Sequence, residues 1–531
     1  MNNDSIDYIK AILTASVYDV AIKTPLDAAP NLSGRLDAPV FLKREDLQPV
    51  FSFKIRGAYN KIARLSPEER AAGVITSSAG NHAQGVALSA TRLGLRSLIV
   101  MPKTTPQIKV DAVRRLGGQT VLHGETYGEA YHHALLLARE DHMTFIHAYD
   151  DPDVIAGQGT IGQEMLQQHP APIEAIFVPV GGGGLIAGIG VYVKYLRPEI
   201  RVIGVEPADT PSMYEALRQN KRVRLDQVGL FADGVAVEQV GREPFRLARE
   251  CVDEVILVST DEICAAIRDI YEDTRAIAEP AGGLAVAGIK AYAATHTLSG
   301  QALLGVIGGA NMNFDRLGYV AERTELGEHR EALLAVTIAE EPGSFRRFCH
   351  DVSEREITEF NYRYEHPQEA HVFAGIHLQH GPAEKDQLIA ELRAKGYPVL
   401  DMTDNELAKV HIRHMVGGHA PHIPHEMLFR VAFPQRIGAL QRFLNRLGQR
   451  WNITLFHYRN HGADHARVMV GMQVPPEQQH QARSLLYGLG YPCHEETDNP
   501  AYRLFLGTAV TMPSLGSQPA TGHVALGNSQ G

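Results

Sequence analysis

The chain is poor in cysteine and tryptophan and has no block of like charge. Its four cysteines, Cys251, Cys264, Cys349 and Cys493, are far apart and form no Cys-x-x-Cys pair. That argues against a disulfide framework or a zinc ribbon and predicts a protein of the reducing cytoplasm. The net charge of -10 is spread over 531 residues without a basic stripe, so nucleic acid is not an expected partner. The start, Met1-Asn2-Asn3-Asp4, is polar and acidic, unlike a signal peptide. One uncharged stretch, Ala175 to Val193, is long enough to suggest a membrane span. Its middle, Pro179-Val180-Gly181-Gly182-Gly183-Gly184, instead reads as a buried strand, a tight turn and a helix start. No membrane association is expected.

Apolar residues are plentiful, at 44% against 21% charged, as in globular proteins that fold in water. The length predicts several domains. Residues 1–325 alternate short apolar runs with helical patterns. Ser97-Leu98-Ile99-Val100-Met101, Ala175-Ile176-Phe177-Val178, Arg201-Val202-Ile203-Gly204-Val205 and Ala302-Leu303-Leu304-Gly305-Val306-Ile307 are strand-like. Apolar strands separated by helices predict an α/β domain whose parallel sheet is covered on both faces.

Beyond about residue 330 a repeat emerges. Glu331-Ala332-Leu333-Leu334-Ala335-Val336 is answered 95 residues later by Glu426-Met427-Leu428-Phe429-Arg430-Val431. Ile357-Thr358-Glu359-Phe360-Asn361-Tyr362-Arg363 is matched by Ile453-Thr454-Leu455-Phe456-His457-Tyr458-Arg459, and Gly396-Tyr397-Pro398 by Gly490-Tyr491-Pro492. So many matches in one register mark a duplication. Each unit, over residues 330–410 and 425–508, reads strand, helix, strand, strand, helix, strand, with Phe345, Phe348 and Val352 (and Leu440, Phe443 and Leu447) at helical spacing. That order is the ferredoxin-like βαββαβ unit. Residues 509–531, rich in Gly, Ser and Pro, read as a disordered tail.

Three segments carry chemistry. Ser52-Phe53-Lys54-Ile55-Arg56-Gly57 places Lys54 among apolar and small neighbours, where desolvation favours a neutral amine able to attack an aldehyde. Gly181 to Gly184 lie between a strand and a helix, so consecutive N–H groups can face one phosphate. No Lys-Ser/Thr follows, which disfavours a nucleotide. Ser78-Ala79-Gly80-Asn81-His82 is a strand-to-helix loop suited to an anion, though Asn81 reads equally as an N-cap and His82 as a structural histidine.

Taken together, these segments resemble the pyridoxal-phosphate enzymes of the tryptophan-synthase-β fold type (fold type II), and within them the biosynthetic threonine deaminases. The resemblance implies that Lys54 binds pyridoxal 5′-phosphate covalently and later acts as base at Cα. It implies that Gly181, Gly182, Gly183 and Gly184 hold the phosphate, and that Asn81 meets the ring's 3′ oxygen. Ser78, Ala79, Gly80, Asn81 and His82 are implied to grip the substrate carboxylate. L-Threonine is the implied substrate and L-serine a secondary one, with isoleucine as inhibitor, valine as a further candidate effector, and a homotetramer. The repeats resemble ACT-like regulatory domains, with Tyr362 and Tyr458 as equivalent effector-binding candidates. A serine dehydratase, another lyase of the same fold type or a catalytically weak amino-acid sensor are the alternative readings.

Two departures stand out. Gly308 in Gly308-Gly309-Ala310-Asn311 stands where the family usually has a serine or threonine facing the pyridine nitrogen. Glu206 is followed by Thr210 and Ser212 where metal-binding relatives carry an aspartate, so no metal is expected there. The histidines His411, His414, His419, His422 and His425 lack a cysteine or carboxylate at ligand spacing and are read as a connection between the repeats.

Overall fold

The computed structural model describes residues 3–339, 347–348, 351–352, 355, 357–362, 368–414, 424–434, 450–459 and 465–506. Leu440, Phe443, Leu447, His419, His422 and the segment 509–531 lie outside the described residues. The chain divides into two compact units, one built on residues up to Glu328 and one beginning at His329.

The first unit contains two sheets where the sequence predicts one. The larger has six strands, in spatial order Leu26–Ala28, Val40–Arg44, Ala302–Ile307, Ile173–Pro179, Arg201–Pro207 and Glu254–Val258. All its neighbours are parallel except the first pair. The smaller orders Gln119–Leu122, Ser97–Met101, Val74–Ser77 and Thr144–Phe145, all parallel. Ser97–Met101 therefore belongs to a separate lobe, with its own core of Val74, Val86, Ile99, Met101 and Val113. Strand period cannot reveal this, because an apolar strand looks alike in either sheet.

Local signals explain where elements begin. Ser66, Thr126 and Ser259 each form a reciprocal capping box with a glutamate three residues on, satisfying N–H groups the helix leaves free. Every residue of Ala302–Ile307 is buried, as expected of a strand covered on both faces. In both sheets the loops that follow the strand carboxyl ends carry the candidate residues: 78–80 after Val74–Ser77, 181–183 after Ile173–Pro179, 308–310 after Ala302–Ile307. Ligands of open α/β sheets bind at this end.

The second unit holds two four-stranded sheets of matching order. Ile357–Tyr362, Glu369–His377, Glu331–Ala339 and Val399–Asp401 form one; Asn452–Arg459, His465–Gln473, Glu426–Pro434 and Cys493–Glu495 form the other. In both, the first and third strands of the chain segment are central neighbours, the order of a βαββαβ unit. Equivalent residues make equivalent bonds: Thr403 accepts from the Leu333 N–H and Thr497 from the Leu428 N–H. Asn405 and Asn499 cap corresponding helices and touch each other at 3.2 Å. Among the described residues no helix is long and apolar enough to cross a membrane.

Candidate active site

Lys54 opens the helix Lys54–Ala63. The segment just before it is stitched to the glycine element: Phe53 N–H donates to Gly308 O at 3.1 Å and Ala310 N–H to Phe51 O at 2.9 Å. The Lys54 Nζ donates to Ala148 O at 3.1 Å and lies 5.1 Å from the Phe53 ring centroid. Burial pushes its pKa down to about 8, opposed by the carboxylate of Glu279. A neutral amine is thus available near neutral pH.

Asn81 is the first residue of the helix Asn81–Arg92. Its Oδ1 accepts from Asn311 Nδ2 at 2.7 Å, which fixes the amide so that its Nδ2 donates to Glu279 Oε1 at 2.6 Å. Asn311 Nδ2 also donates to Val50 O at 2.8 Å. Glu279 is buried at the start of the helix Pro280–Thr295, and burial, then the nearby Asp233, push its pKa up to about 7. The Ser78–Gly80 loop is half-buried, and the first-turn N–H groups of the Asn81 helix have no acceptor within the helix. His82 turns away: its Nε2 meets Ile146 O at 3.0 Å and burial drives its pKa down to about 3.

The four glycines are demanded by close packing. A Cβ on Gly182 would lie 2.2 Å from the Tyr149 ring, and one on Gly184 would lie 2.9 Å from Tyr149 O. Gly183 has φ +92, the left-handed region that side chains disfavour. The loop leads directly into the buried helix Gly184–Leu196, giving a concave set of N–H groups at a positive helix end. These residues fit pyridoxal phosphate: Lys54 for its aldehyde carbon, the glycine loop for its phosphate and Asn81 beside its ring.

Glu206, by contrast, has both oxygens engaged. Oε1 accepts from Ser212 Oγ at 3.1 Å and Met213 N–H at 2.8 Å, and Oε2 from Tyr214 N–H at 2.8 Å. It caps the helix Ser212–Arg218. Among the described residues no group of three or more His, Cys, Asp or Glu is placed to hold a metal ion.

Sequence reasoning missed Glu279, Tyr149, Asp233 and Lys109. Asp233 joins Lys109 at 2.8 Å and Arg316 at 3.3 Å. The only local signal for Glu279 is its place before Pro280, which reads as a helix start and nothing more. Tyr362 and Tyr458 lie on the corresponding strands Ile357–Tyr362 and Asn452–Arg459; their side chains lie outside the described residues.

The fold and the lysine–glycine-loop geometry define a pyridoxal-phosphate dependent enzyme of fold type II, and the family described as "Pyridoxal-phosphate dependent enzyme" matches residues 17–308. The family described as "C-terminal regulatory domain of Threonine dehydratase" matches twice, at residues 322–412 and 417–506. The biosynthetic L-threonine dehydratase of Burkholderia multivorans is 56% identical over 503 residues, 94% of this chain and 99% of that protein. That of Escherichia coli is 51% identical over 500 residues, 94% and 97% of the two chains. The solved processed form of threonine deaminase isoform 2 from Solanum lycopersicum is 49% identical, covers 61% of this chain and 94% of its own, and has a TM-score of 0.60. The chain belongs to the biosynthetic threonine dehydratase family, and its cofactor is pyridoxal 5′-phosphate.

Gly308 can be probed directly. A Cβ there would meet Phe53 Cδ1 at 3.5 Å and Cε1 at 3.6 Å, ordinary contact distances. Gly308→Ser is therefore expected to keep threonine turnover within about tenfold, ~1.4 kcal/mol in the barrier. Steady-state rates decide it; a loss of several orders of magnitude would mean that a different partner for the ring nitrogen occupies that space.

Proposed function

We propose that this chain converts L-threonine to 2-oxobutanoate and ammonia as the entry to isoleucine synthesis, in the cytoplasm, as a homotetramer inhibited by isoleucine. The observation that carries the reading is a half-buried lysine at a helix start stitched to the Gly308 element, in the same unit as the Asn81–Glu279 pair and the glycine loop that follows Ile173–Pro179. The same chain holds a duplicated regulatory unit. The domains we propose are catalytic over residues 1–325 and ACT-like over 330–410 and 425–508.

When bound, pyridoxal phosphate supplies an electron-withdrawing ring that makes the amino-acid Cα–H acidic. The backbone N–H groups of Gly181 to Gly184 would hold the phosphate at the helix start. The loop from Ser78 to His82 presents backbone donors to the substrate carboxylate, orienting the Cα proton. Lys54, which would hold the cofactor's aldehyde carbon, would also be the base that takes that proton, a task suited to an amine titrating near neutrality. Asn81, its amide fixed by Asn311, would be the residue that meets the ring. Glu279, with a pKa about 7, can hold a proton at that end of the site. The β-hydroxyl departs with a proton, since free hydroxide leaves poorly.

L-Serine lacks one methyl group, worth only ~1–3 kcal/mol in a pocket, so it should react more weakly without being excluded. The test is 2-oxo acid and ammonia release from each amino acid. Turnover of serine but not threonine would make this a serine dehydratase; turnover of neither would leave an amino-acid sensor.

For the effector we place isoleucine at the paired units, with Tyr362 and Tyr458 as its contacts. Their support is equivalence in the repeat and a phenylalanine two residues earlier on each strand, Phe360 and Phe456, hence on the same strand face. Tyr458→Ala, and with it Tyr362→Ala, is expected to weaken isoleucine inhibition while effector-free turnover stays near normal. Inhibition curves identical to the parent in both variants would remove the tyrosines from the effector site.

A further inference from the structure

Asp233 sits in a turn, Asp233–Val235, that lies near the Asn81–Glu279 pair and Gly181. Its carboxylate accepts from Lys109 Nζ at 2.8 Å and from Arg316 Nη1 at 3.3 Å. Lys109 lies on the helix Gln107–Arg115 of the smaller lobe, so the bridge crosses between the lobes. The next residue packs on the cofactor side: a Cβ on Gly234 would lie 3.0 Å from Ala281 Cβ, 3.7 Å from Glu279 Oε1 and 3.9 Å from Asn81 Nδ2. A Cβ on Gly181 would lie 3.0 Å from Val235 Cα. Three consecutive residues thus meet the opposite lobe, the Asn81–Glu279 pair and the phosphate loop.

The second partner of Asp233 leads elsewhere. Arg316 is buried and is the first residue of the helix Arg316–Gly327. Twelve residues make a rod about 18 Å long. The rod is clamped along its side by the helix Thr260–Thr274: Arg323 pairs with Asp261, Thr324 Oγ1 donates to Cys264 O at 3.4 Å, and Arg268 pairs with Glu325 at 2.5 Å. Just past its far end Glu328 pairs with Lys290 and, at 3.5 Å, with Arg35. Glu328 is also the last residue of the first unit.

The connection that follows is short in sequence. His329 is left-handed, at φ 55, and Arg330 O already accepts from the Leu378 N–H of the regulatory unit at 2.6 Å. The next residue begins Glu331–Ala339, the strand paired on both sides in the first regulatory sheet. Three residues, Glu328, His329 and Arg330, separate a strand of the regulatory unit from a rod whose other end holds Asp233.

We propose that the Arg316–Gly327 helix and the Asp233 turn transmit the state of the regulatory unit to the cleft, with Arg316 and Asp233 as positioning residues. A displacement of the first regulatory sheet moves the rod, the rod moves Arg316, and Asp233 then holds or releases Lys109 and the turn over Asn81, Glu279 and Gly181. Packed elements of this kind switch between discrete arrangements more readily than they deform. The inference rests on the reading of an isoleucine-inhibited threonine dehydratase.

The test uses the full-length holoenzyme, Arg316→Gln, the conservative Arg316→Lys, and an insertion of two glycines between Glu328 and His329 that leaves every side chain of the site in place. Isoleucine binding is measured by calorimetry with and without threonine, inhibition by initial rates, and cofactor retention by the visible absorbance of the holoenzyme. In Arg316→Gln and in the insertion, isoleucine should still bind, while half-inhibition should need at least about tenfold more isoleucine. Coupling is reciprocal, so threonine should also lose its effect on isoleucine binding. Arg316→Lys should retain part of both. Inhibition in the insertion variant equal to the parent overturns the proposal, whether or not Arg316→Gln folds. A parent that neither binds isoleucine nor is inhibited by it overturns the effector reading itself, and this relay with it.

Discussion

Lys54→Ala is expected to leave a folded protein that has lost the visible absorbance of bound cofactor and whose threonine turnover has fallen by about 10⁴-fold or more. The size follows from two losses. The covalent attachment point disappears, and so does a positioned base, a contribution of roughly 10²–10⁴-fold by itself. The fold should survive, because Lys54 is half-buried at the first position of its helix and makes one hydrogen bond, to Ala148 O. Circular dichroism should overlay that of the parent. The pH dependence of cofactor uptake gives a second check on the same amine. Burial lowers its pKa to about 8, so the reactive neutral form should accumulate as pH rises toward 8 and not first near 10. Retained absorbance and normal rates in the variant would remove Lys54 from the reaction.

Lys54, the Ser78–His82 loop and Gly181 to Gly184 were legible because each is a short local pattern with a local physical reason. The duplication was legible because a register repeated over some ninety residues accumulates matches faster than chance. Glu279 was not. Among 61 acidic residues, nothing in Ala278-Glu279-Pro280 separates a buried carboxylate facing a lysine from an exposed helix start. Its meaning arises only when Asn81, 198 positions earlier, donates to it. The Asp233 turn was hidden for the same reason, since both its cationic partners are more than eighty residues away in sequence. The division into two sheets also escaped, because strand period reports burial and not which neighbour does the burying. His82 shows the reverse case: the loop carries the signal, yet the imidazole itself serves the lobe's interior.

The second large effect concerns a residue two positions from Lys54, on the opposite side of the same helix start. Arg56 is fully buried, with Glu45 and Glu164 as partners: its Nη2 is 2.8 Å from Glu45 Oε1 and its Nη1 2.6 Å from Glu164 Oε1. Lys43, also buried, pairs with Glu164 at 2.5 Å and donates to Thr24 O at 2.6 Å. Two cations and two anions balance, and together they tie the strand Val40–Arg44, the Lys54 helix and the helix Pro152–Gln168 into one block. Arg56→Met fills similar volume but strands an uncompensated negative charge, so a loss of about 3–5 kcal/mol is expected at neutral pH. That is a large share of the ~5–15 kcal/mol by which native proteins are stable. The chain's one tryptophan, Trp451, lies in the second unit, so denaturant unfolding of the catalytic unit is best followed by cofactor absorbance. The pH dependence separates lost charge balance from lost packing. Burial alone would raise the pKa of Glu45, but Arg56 and Thr24 hold it below the ordinary carboxylate value. In the parent, Glu45 therefore contributes stability above its unfolded pKa of about 4.3, and that contribution fades as pH falls. Without Arg56 burial dominates and the pKa should rise above the unfolded value, so the ionised form costs stability until protonation relieves it. The gap between parent and variant should accordingly be widest near pH 7.5 and narrow by pH 5. Equal gaps at both pH values would show that Arg56 acts through its packing, and that the charge balance behind Lys54 is not what holds its helix in place.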